Sequence, residues 1–183
     1  MNRKEKRAEF RKMKKEAPKL KKEILSQVDK DRDKLLTHAF VLAFNRVTKC
    51  KYEVIKETLK KAEIIQEEML IDMKGLDKLR LLVESEVNFK VEADCKLENT
   101  NTFGCNKEIF KDNLLKYVEK IRVDALMLSW VLALSRLYGY DKNICIKILE
   151  MTDDIMGDFN KGYITYLEMQ SMIKKEVGIW LNL

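Results

Sequence analysis

The segments Phe40–Arg46 (FVLAFNR) and Trp130–Arg136 (WVLALSR) are two versions of one seven-residue apolar stretch, and they lie 90 residues apart. Four of the seven positions are identical. The same separation relates further pairs of identical or similar residues: Leu59 and Leu149, Leu82 and Met172, Val83 and Ile173, Glu86 and Glu176, and Val87 and Val177. Self-similarity at a fixed separation indicates a repeated structural unit, so we interpret the chain as a duplication.

Apolar residues on both sides of these segments recur with helical spacing, and one proline and six glycines leave few turn signals for a fold of many strands. We therefore predict an all-α protein with two tandem, duplicated helical units. The predicted organisation is a basic N-terminal helix or arm (1–17), a first helical unit (18–89), a linker or small hairpin (90–107) and a second helical unit (108–183).

Several residues suggest where helices begin and end. Gly75 is predicted to terminate a helix that starts at Tyr52, because glycine is common just past a helix end. Asp112 and Asp141 are predicted N-caps. Thr165 and Glu168 have the T-x-x-E spacing of a capping box, which predicts a helix start at that point.

Each predicted unit contains two helices joined by a short turn. These are Leu35–Lys49 followed by Tyr52–Met73, and Arg122–Tyr138 followed by Asp141–Ile155. A helix-turn-helix that reads DNA places basic side chains of its second helix in the major groove, whereas ordinary antiparallel packing needs none. Both alternatives stay open. The candidate nucleic-acid or partner contacts on these second helices are Lys51, Lys56, Lys60, Lys142 and Lys147.

The positive charge of the chain lies at its N-terminus. Residues 1–22 contain eleven Lys or Arg and three Glu, whereas the rest of the chain has 25 basic and 27 acidic residues, and the net charge is +6. Such a segment favours contact with phosphates or an acidic protein surface. A solvated charged helix is the alternative. The candidate contacts are Arg3, Lys4, Lys6, Arg7, Arg11, Lys12, Lys14 and Lys15.

Neither a cofactor nor a catalytic site is expected from the residues. The cysteines at 50, 95, 105 and 145 lack CxxC spacing, although Cys95 and Cys105 flank a polar loop and could bridge or bind metal. The segment Asp158–Glu168 resembles a calcium-binding loop that is one residue short. His38 lies on an apolar helix face, which favours a core histidine over a catalytic base.

No stretch of the sequence has the length and apolar character of a membrane span, and no signal peptide is apparent. We therefore expect a protein of the bacterial cytoplasm with free thiols and no membrane partner. Whether it forms a homodimer through exposed tyrosine and methionine side chains is left open.

The lysine-rich start (MNRKEKRAEFRKMKK), the apolar helix that turns at WVLALSRLYGY and the segment DFNKGYITYLEMQSMIKKEVGI together resemble small basic prophage proteins of Gram-positive anaerobes. That group includes an inhibitor of type II-A CRISPR nucleases. The resemblance covers residues 1–20 and about 125–180. It implies a phage-encoded, non-enzymatic binding protein whose partner is a Cas9-type nuclease with its guide RNA.

Two functions are therefore expected. The first is an anti-CRISPR protein that binds the guide-loaded nuclease and blocks DNA binding or cleavage. The second, of a different class, is a phage transcriptional regulator that binds duplex DNA through one or both helix-turn-helix pairs. Both predict binding that weakens as salt concentration rises, so salt dependence does not separate them.

Overall fold

A computed structural model describes residues 30–69, 75–89 and 107–181 of the chain. The described residues contain helices and no strand, which confirms the prediction of an all-α protein. The predicted arm (1–17) and all of the predicted linker or hairpin except Lys107 lie outside them. The six helices of the described residues are α1 (Lys30–Thr48), α2 (Tyr52–Met69), α3 (Gly75–Val87), α4 (Lys107–Tyr138), α5 (Lys142–Asn160) and α6 (Tyr166–Val177).

The chain divides into two compact units. One comprises residues 1–29 and 92–123, and the other comprises residues 30–91 and 124–183. The second unit contains five complete helices and the part of α4 from Asp124 onward. The predicted unit boundaries fall at or beside residues that the structure does not describe, and they stay a prediction.

The repeated apolar stretches form the centre of this second unit. Every side chain from 39 to 44 in α1 and from 128 to 134 in α4 is buried. A helix that is apolar on all sides must be covered on all sides, so other helices have to pack around both. Phe40 and Trp130 meet here, with their rings stacked at a centroid distance of 4.2 Å.

The packing joins helices that are distant in sequence. Helix α1 packs against α5 and α6. A helix of the second half also contacts one of the first half. The Tyr138 hydroxyl at the end of α4 lies 3.1 Å from the carbonyl oxygen of Val54 and 3.0 Å from a carboxylate oxygen of Glu57, both on α2. Both central helices therefore contact helices from the other half of the chain.

The buried positions of α2 and α5 share one register. Ile55, Thr58, Ala62 and Ile65 are the buried residues of α2, and the buried residues of α5 follow each of them after 90 positions: Cys145, Ile148, Thr152 and Ile155. Likewise Leu79 and Val83 of α3 are buried, as are Met169 and Ile173 of α6. The same separation thus relates side chains that face the core.

Two of the predicted helix starts are confirmed. The Asp141 side chain accepts a hydrogen bond from the backbone N–H of Ile144 at 2.9 Å. Thr165 and Glu168 form a capping box in which each side chain bonds the backbone of the other residue. These contacts satisfy N–H groups that have no partner inside the helix.

Two other predicted helix boundaries are wrong. Gly75 lies within α3 and is buried there, whereas the end predicted for the preceding helix, near Met73, lies outside the described residues. Asp112 lies inside α4, which begins at Lys107. Glycine and aspartate favour helix ends through local effects, and the structure places both residues within helices instead.

Candidate binding surface

The eight candidate contacts of the N-terminal arm lie outside the described residues, so their surroundings stay a prediction. They are Arg3, Lys4, Lys6, Arg7, Arg11, Lys12, Lys14 and Lys15. The five other candidates are described, and all five side chains are exposed to solvent.

The candidates of the first half lie at the start of α2. Lys51 is the last residue of the turn between α1 and α2, and Lys56 and Lys60 follow within α2. Residues four apart share one face of a helix, so Lys56 and Lys60 lie side by side. Glu53 and Glu57 are also exposed on this part of the helix. The surface therefore mixes both signs of charge.

The candidates of the second half are more widely separated. Lys142 and Lys147 are both on α5, and five residues correspond to about 140° of rotation around a helix. The structure therefore does not bring these two side chains onto one face. The exposed Asp153 and Asp154 follow on the same helix. Partial desolvation of its carboxylate, and the charge of Asp154 next to it, raise the pKa of Asp153.

The connections that precede these lysines each begin with a residue in the left-handed region. Lys49 and Gly139 both have positive φ, 54° and 64°. In each connection the backbone N–H of this residue donates to a carbonyl four residues earlier, on Asn45 or Ser135. This is the left-handed ending common at the C-terminus of a helix. The turn directs the chain from α1 into α2 and from α4 into α5.

Ion pairs connect the ends of the central helices to the last helix of the other half. Arg46 donates two hydrogen bonds to the carboxylate of Glu176, at 2.9 and 2.6 Å. Arg136 does the same to Glu86, at 2.8 and 2.6 Å. These bonds lower the pKa of both glutamates and raise the pKa of both arginines. Each pair is about one-third exposed, so it contributes modestly to stability.

His38 is fully buried and bonded within α1. Its Nδ1 lies 2.6 Å from the carbonyl oxygen of Lys34, and its Nε2 lies 3.4 Å from the Tyr166 hydroxyl. A carbonyl oxygen only accepts, so Nδ1 donates to Lys34, and Nε2 faces the Tyr166 hydroxyl. The Tyr166 ring is tilted against the His38 imidazole, with 5.1 Å between the two ring centroids. This is a core histidine, as the sequence indicated.

The segment that resembles a calcium-binding loop serves as a helix connection. Asp158 and Asn160 lie within α5, and the Glu168 carboxylate accepts from the backbone N–H of Thr165 at 2.7 Å. That bond lowers the pKa of Glu168. Among the described residues, no three His, Cys, Asp or Glu side chains gather closely enough to hold a metal ion. Cys95 and Cys105 lie outside those residues.

The sequence prediction missed a set of exposed apolar side chains around α6. Leu167 and Tyr163 are each 73 % exposed, and Trp180 is 52 % exposed. The Lys174 ammonium lies 4.7 Å from the centre of the Trp180 ring. A signal was present, because Leu167 falls outside the helical stripe formed by Met169 and Ile173.

Comparison of this chain with protein-family models, with curated proteins and with solved structures finds no match. Among the described helices, none combines the length and the apolar character needed to cross a membrane. Any interpretation of function therefore rests on the residues of this chain.

Proposed function

We propose that this chain is a phage-encoded, non-enzymatic binding protein that acts in the cytoplasm of the bacterial host. Its partner is a Cas9-type nuclease loaded with guide RNA, and binding blocks the access of DNA or the cleavage step. The body that presents the binding surfaces is a duplicated helical unit, in which each copy supplies one central helix and two covering helices.

The distribution of positive charge is the observation that carries the proposal. Eleven Lys or Arg lie in residues 1–22, while the remainder of the chain is slightly acidic. The five described candidate lysines are exposed. A guide-loaded nuclease presents RNA phosphates and a channel built for nucleic acid, and a chain with concentrated positive charge is attracted to phosphates. Occupation of such a surface inhibits without chemistry.

Three observations support the duplicated body. The buried positions of α2 recur in α5 after 90 residues. The turns before these two helices each contain a residue with positive φ, Lys49 and Gly139, which are also 90 residues apart. Asn88 and Gly178, at the ends of α3 and α6, have positive φ at the same separation. The two bidentate ion pairs, Arg46–Glu176 and Arg136–Glu86, also correspond. The two arginines are 90 residues apart, and so are the two glutamates.

A pull-down tests the proposed partner. The purified chain is incubated with a type II-A Cas9 nuclease, with and without guide RNA, and retention and DNA cleavage are measured. We expect retention of the guide-loaded nuclease and reduced cleavage. Deletion of residues 1–16 removes eight basic residues and is expected to weaken retention and its dependence on salt. If the wild-type chain neither retains nor inhibits the nuclease, the proposed function is wrong.

A phage regulator that binds duplex DNA is the second candidate. The specific observation in its favour is that α1–α2 and α4–α5 are each joined by three residues, and that exposed lysines lie at the start of the second helix. The acids that follow on α5, Asp153 and Asp154, would oppose phosphate contact. A gel shift on phage-promoter and random DNA separates the candidates. A sequence-dependent shift without nuclease retention would favour the regulator.

A further inference from the structure

Polar side chains meet between α1 and α6 at positions whose counterparts in α4 and α3 are leucines. His38 is fully buried, and its Nε2 lies 3.4 Å from the hydroxyl of Tyr166, which also accepts a hydrogen bond from Gln170 at 3.3 Å. The residues 90 positions away from the histidine and the tyrosine are Leu128 and Leu76, and both are buried. A polar contact on one central helix therefore corresponds to two apolar side chains in the other half of the core.

One helical turn from these leucines, an ion pair distinguishes the same two helix pairs. Arg80 of α3 donates to the carboxylate of Asp124 on α4 at 2.9 Å, and the two side chains are only 11 % and 20 % exposed. Each of these residues is four positions from one of the two leucines, so it lies on the same face of its helix. The corresponding residues on α6 and α1 are Gln170 and Lys34, which include no acid. The ion pair therefore has no equivalent at these positions of α1 and α6.

Other contacts of the repeated body have the same chemistry in both halves. The ion pair of Arg46 with Glu176 uses the same two residue types as that of Arg136 with Glu86. Each half also has an apolar central helix of similar sequence and two covering helices. If these features alone determined the packing, the first half of one chain (α1–α3) would fit the first half of a second copy as well as it fits its own second half (α4–α6). Residues that differ between the halves therefore have to decide which halves pair.

We propose that eight residues make the first and second halves complementary to one another and disfavour the pairing of like halves from two chains. We call them the pairing residues, and they are Lys34 and His38 on α1, Leu76 and Arg80 on α3, Asp124 and Leu128 on α4, and Tyr166 and Gln170 on α6. The inference rests on the duplicated body of the proposed function and is independent of the nuclease. Buried polar residues select one arrangement among several similar ones in the same way in coiled coils.

Pairing of two first halves would be unfavourable at both places. His38 of one chain would face Leu76 of the other, so the buried imidazole would lose its contact with a hydroxyl. Lys34 would face Arg80, and two positive charges would replace the ion pair with Asp124. A buried polar group that loses its partner costs more free energy than the hydrogen bond contributes when it is formed, and like charges add repulsion.

Pairing of two second halves would be unfavourable for related reasons. Leu128 of one chain would face Tyr166 of the other, whose hydroxyl would lose the imidazole. Asp124 would face the amide of Gln170 in place of the arginine, so the attraction between opposite charges would be lost. In the fold itself the hydroxyl meets the imidazole and the carboxylate meets the arginine. Penalties on the wrong pairings produce specificity even where the apolar contacts are nearly equal.

The test exchanges the pairing residues of the two covering helices in the full chain. The exchange variant carries Leu76→Tyr, Arg80→Gln, Tyr166→Leu and Gln170→Arg. Each of its halves is then complementary to its like, whereas the two halves of one chain no longer match. The rematched variant carries four further changes that restore the match: Lys34→Asp, His38→Leu, Asp124→Lys and Leu128→His. The control, Leu81→Ser/Ser171→Leu, exchanges exposed residues that also lie 90 positions apart on α3 and α6.

Thermal unfolding followed by circular dichroism reports the match within the chain. We expect the Tm of the exchange variant to fall by at least about 5 °C, because buried polar groups lose their partners. The rematched variant should recover at least about half of that loss, and the control should stay within about 2 °C of wild type.

Light scattering over a series of protein concentrations reports pairing between chains. Linked halves meet at an effective concentration on the order of 1 mM, so pairing between chains competes only when the match within the chain is poor. We expect the exchange variant to form more dimer than wild type as the protein concentration rises. The rematched variant should resemble wild type.

A loss of Tm that rematching restores, together with added dimer in the exchange variant, supports the inference. An exchange variant that keeps the Tm or the association state of wild type would overturn it, because the pairing residues would then not select the partner. A loss that rematching fails to restore would also overturn it, since the residues would act through their local surroundings and not as pairs.

The rematched variant decides the matter if the exchange variant does not fold. It contains the same four substitutions on α3 and α6, so a folded rematched variant shows that the mismatch was the cause. An unfolded rematched variant would overturn the inference. None of these measurements involves the nuclease. A failed pull-down therefore leaves the pairing inference intact, and failure of the pairing inference leaves the proposed partner intact.

Discussion

Phe40 and Trp130 stack on one another although each occupies the same position in its own copy of the repeated stretch. Their ring planes are 15° apart and the ring centres are 4.2 Å apart. Both side chains are at least 98 % buried. The contact therefore joins the two repeated stretches directly within the core.

The stack predicts an energetic coupling between the two halves. Phe40→Leu and Trp130→Leu each remove aromatic contact, and chemical denaturation measures the loss in the free energy of unfolding. We expect the double variant to lose about 1 kcal/mol less than the two single losses together, because the stacking is removed only once. Strictly additive losses would show that the two rings do not interact favourably.

The ion pairs predict a loss of stability in acid. Because Arg136 and Arg46 lower the folded-state pKa of Glu86 and Glu176, both pairs stabilise the fold fully above the ordinary glutamate range. This contribution disappears as pH falls through the lowered values. Each pair is expected to contribute about 0.5 kcal/mol at neutral pH. The Tm of Glu86→Gln/Glu176→Gln should fall below that of wild type at pH 7, and the difference should shrink as pH falls below the ordinary glutamate range. A difference in Tm that does not shrink in acid would contradict this. Glu84→Gln, an exposed change on α3, is the control.

The turns before α2 and α5 predict opposite effects of glycine. Lys49 adopts φ of 54°, which is strained for any residue with a Cβ, whereas glycine occupies the equivalent position 139. Gly139→Ala should destabilise by about 1 kcal/mol, and no heavy atom lies within 4 Å of the added Cβ to contribute a clash. Lys49→Gly should be neutral or stabilising. Thermal unfolding distinguishes the two, since about 1 kcal/mol corresponds to a Tm shift of roughly 2–4 °C for a chain of this size. A lower Tm for Lys49→Gly would mean that its side chain contributes more than the strain costs.

The capping box predicts a measurable cost at the start of α6. Thr165→Ala removes the side-chain acceptor for the backbone N–H of Glu168 and should destabilise by about 1 kcal/mol. Thr165→Ser keeps the acceptor and should recover most of the loss. If the alanine and serine variants unfold at the same denaturant concentration, the cap contributes nothing to stability.

The cysteines predict slow thiol chemistry in the folded state. Burial, together with the nearby charge of Asp141, raises the pKa of the Cys145 thiol to about 11, so the reactive thiolate is scarce at pH 8. Peptide mapping after brief treatment with iodoacetamide should find Cys145 unmodified in the native protein and modified in denaturant. Rapid native labelling of Cys145 would show that α5 opens readily.

The helical content and the central apolar helices could be predicted because a repeated apolar stretch is visible in the sequence itself. The caps at Asp141 and Thr165 could be predicted because each depends on residues at most three positions away. Gly75 and Asp112 were assigned by the same local preferences, and there the preferences failed because tertiary packing decides how far a helix extends.

The exposed residues were likewise predicted only in part. Lysines of the surface are recognisable from their charge, and the five described candidates are exposed as expected. Leu167 and Trp180 were not predicted as surface residues, because an apolar residue in the sequence is normally assigned to the core. For Leu167, its place outside the stripe of Met169 and Ile173 was the available signal, whereas Trp180 lies beyond the end of α6, where helical periodicity gives no indication.

The pairing of α1 with α5 and α6 also constrains how the protein is made. While the ribosome is still synthesising the second half, the apolar side chains from 39 to 44 have not yet met their covering helices. Polypeptides that terminate before Tyr166 lack α6 and leave the side of α1 that it covers open to water, and exposed apolar surface promotes aggregation and proteolysis. Nearly complete translation is therefore a condition for the central core to close fully.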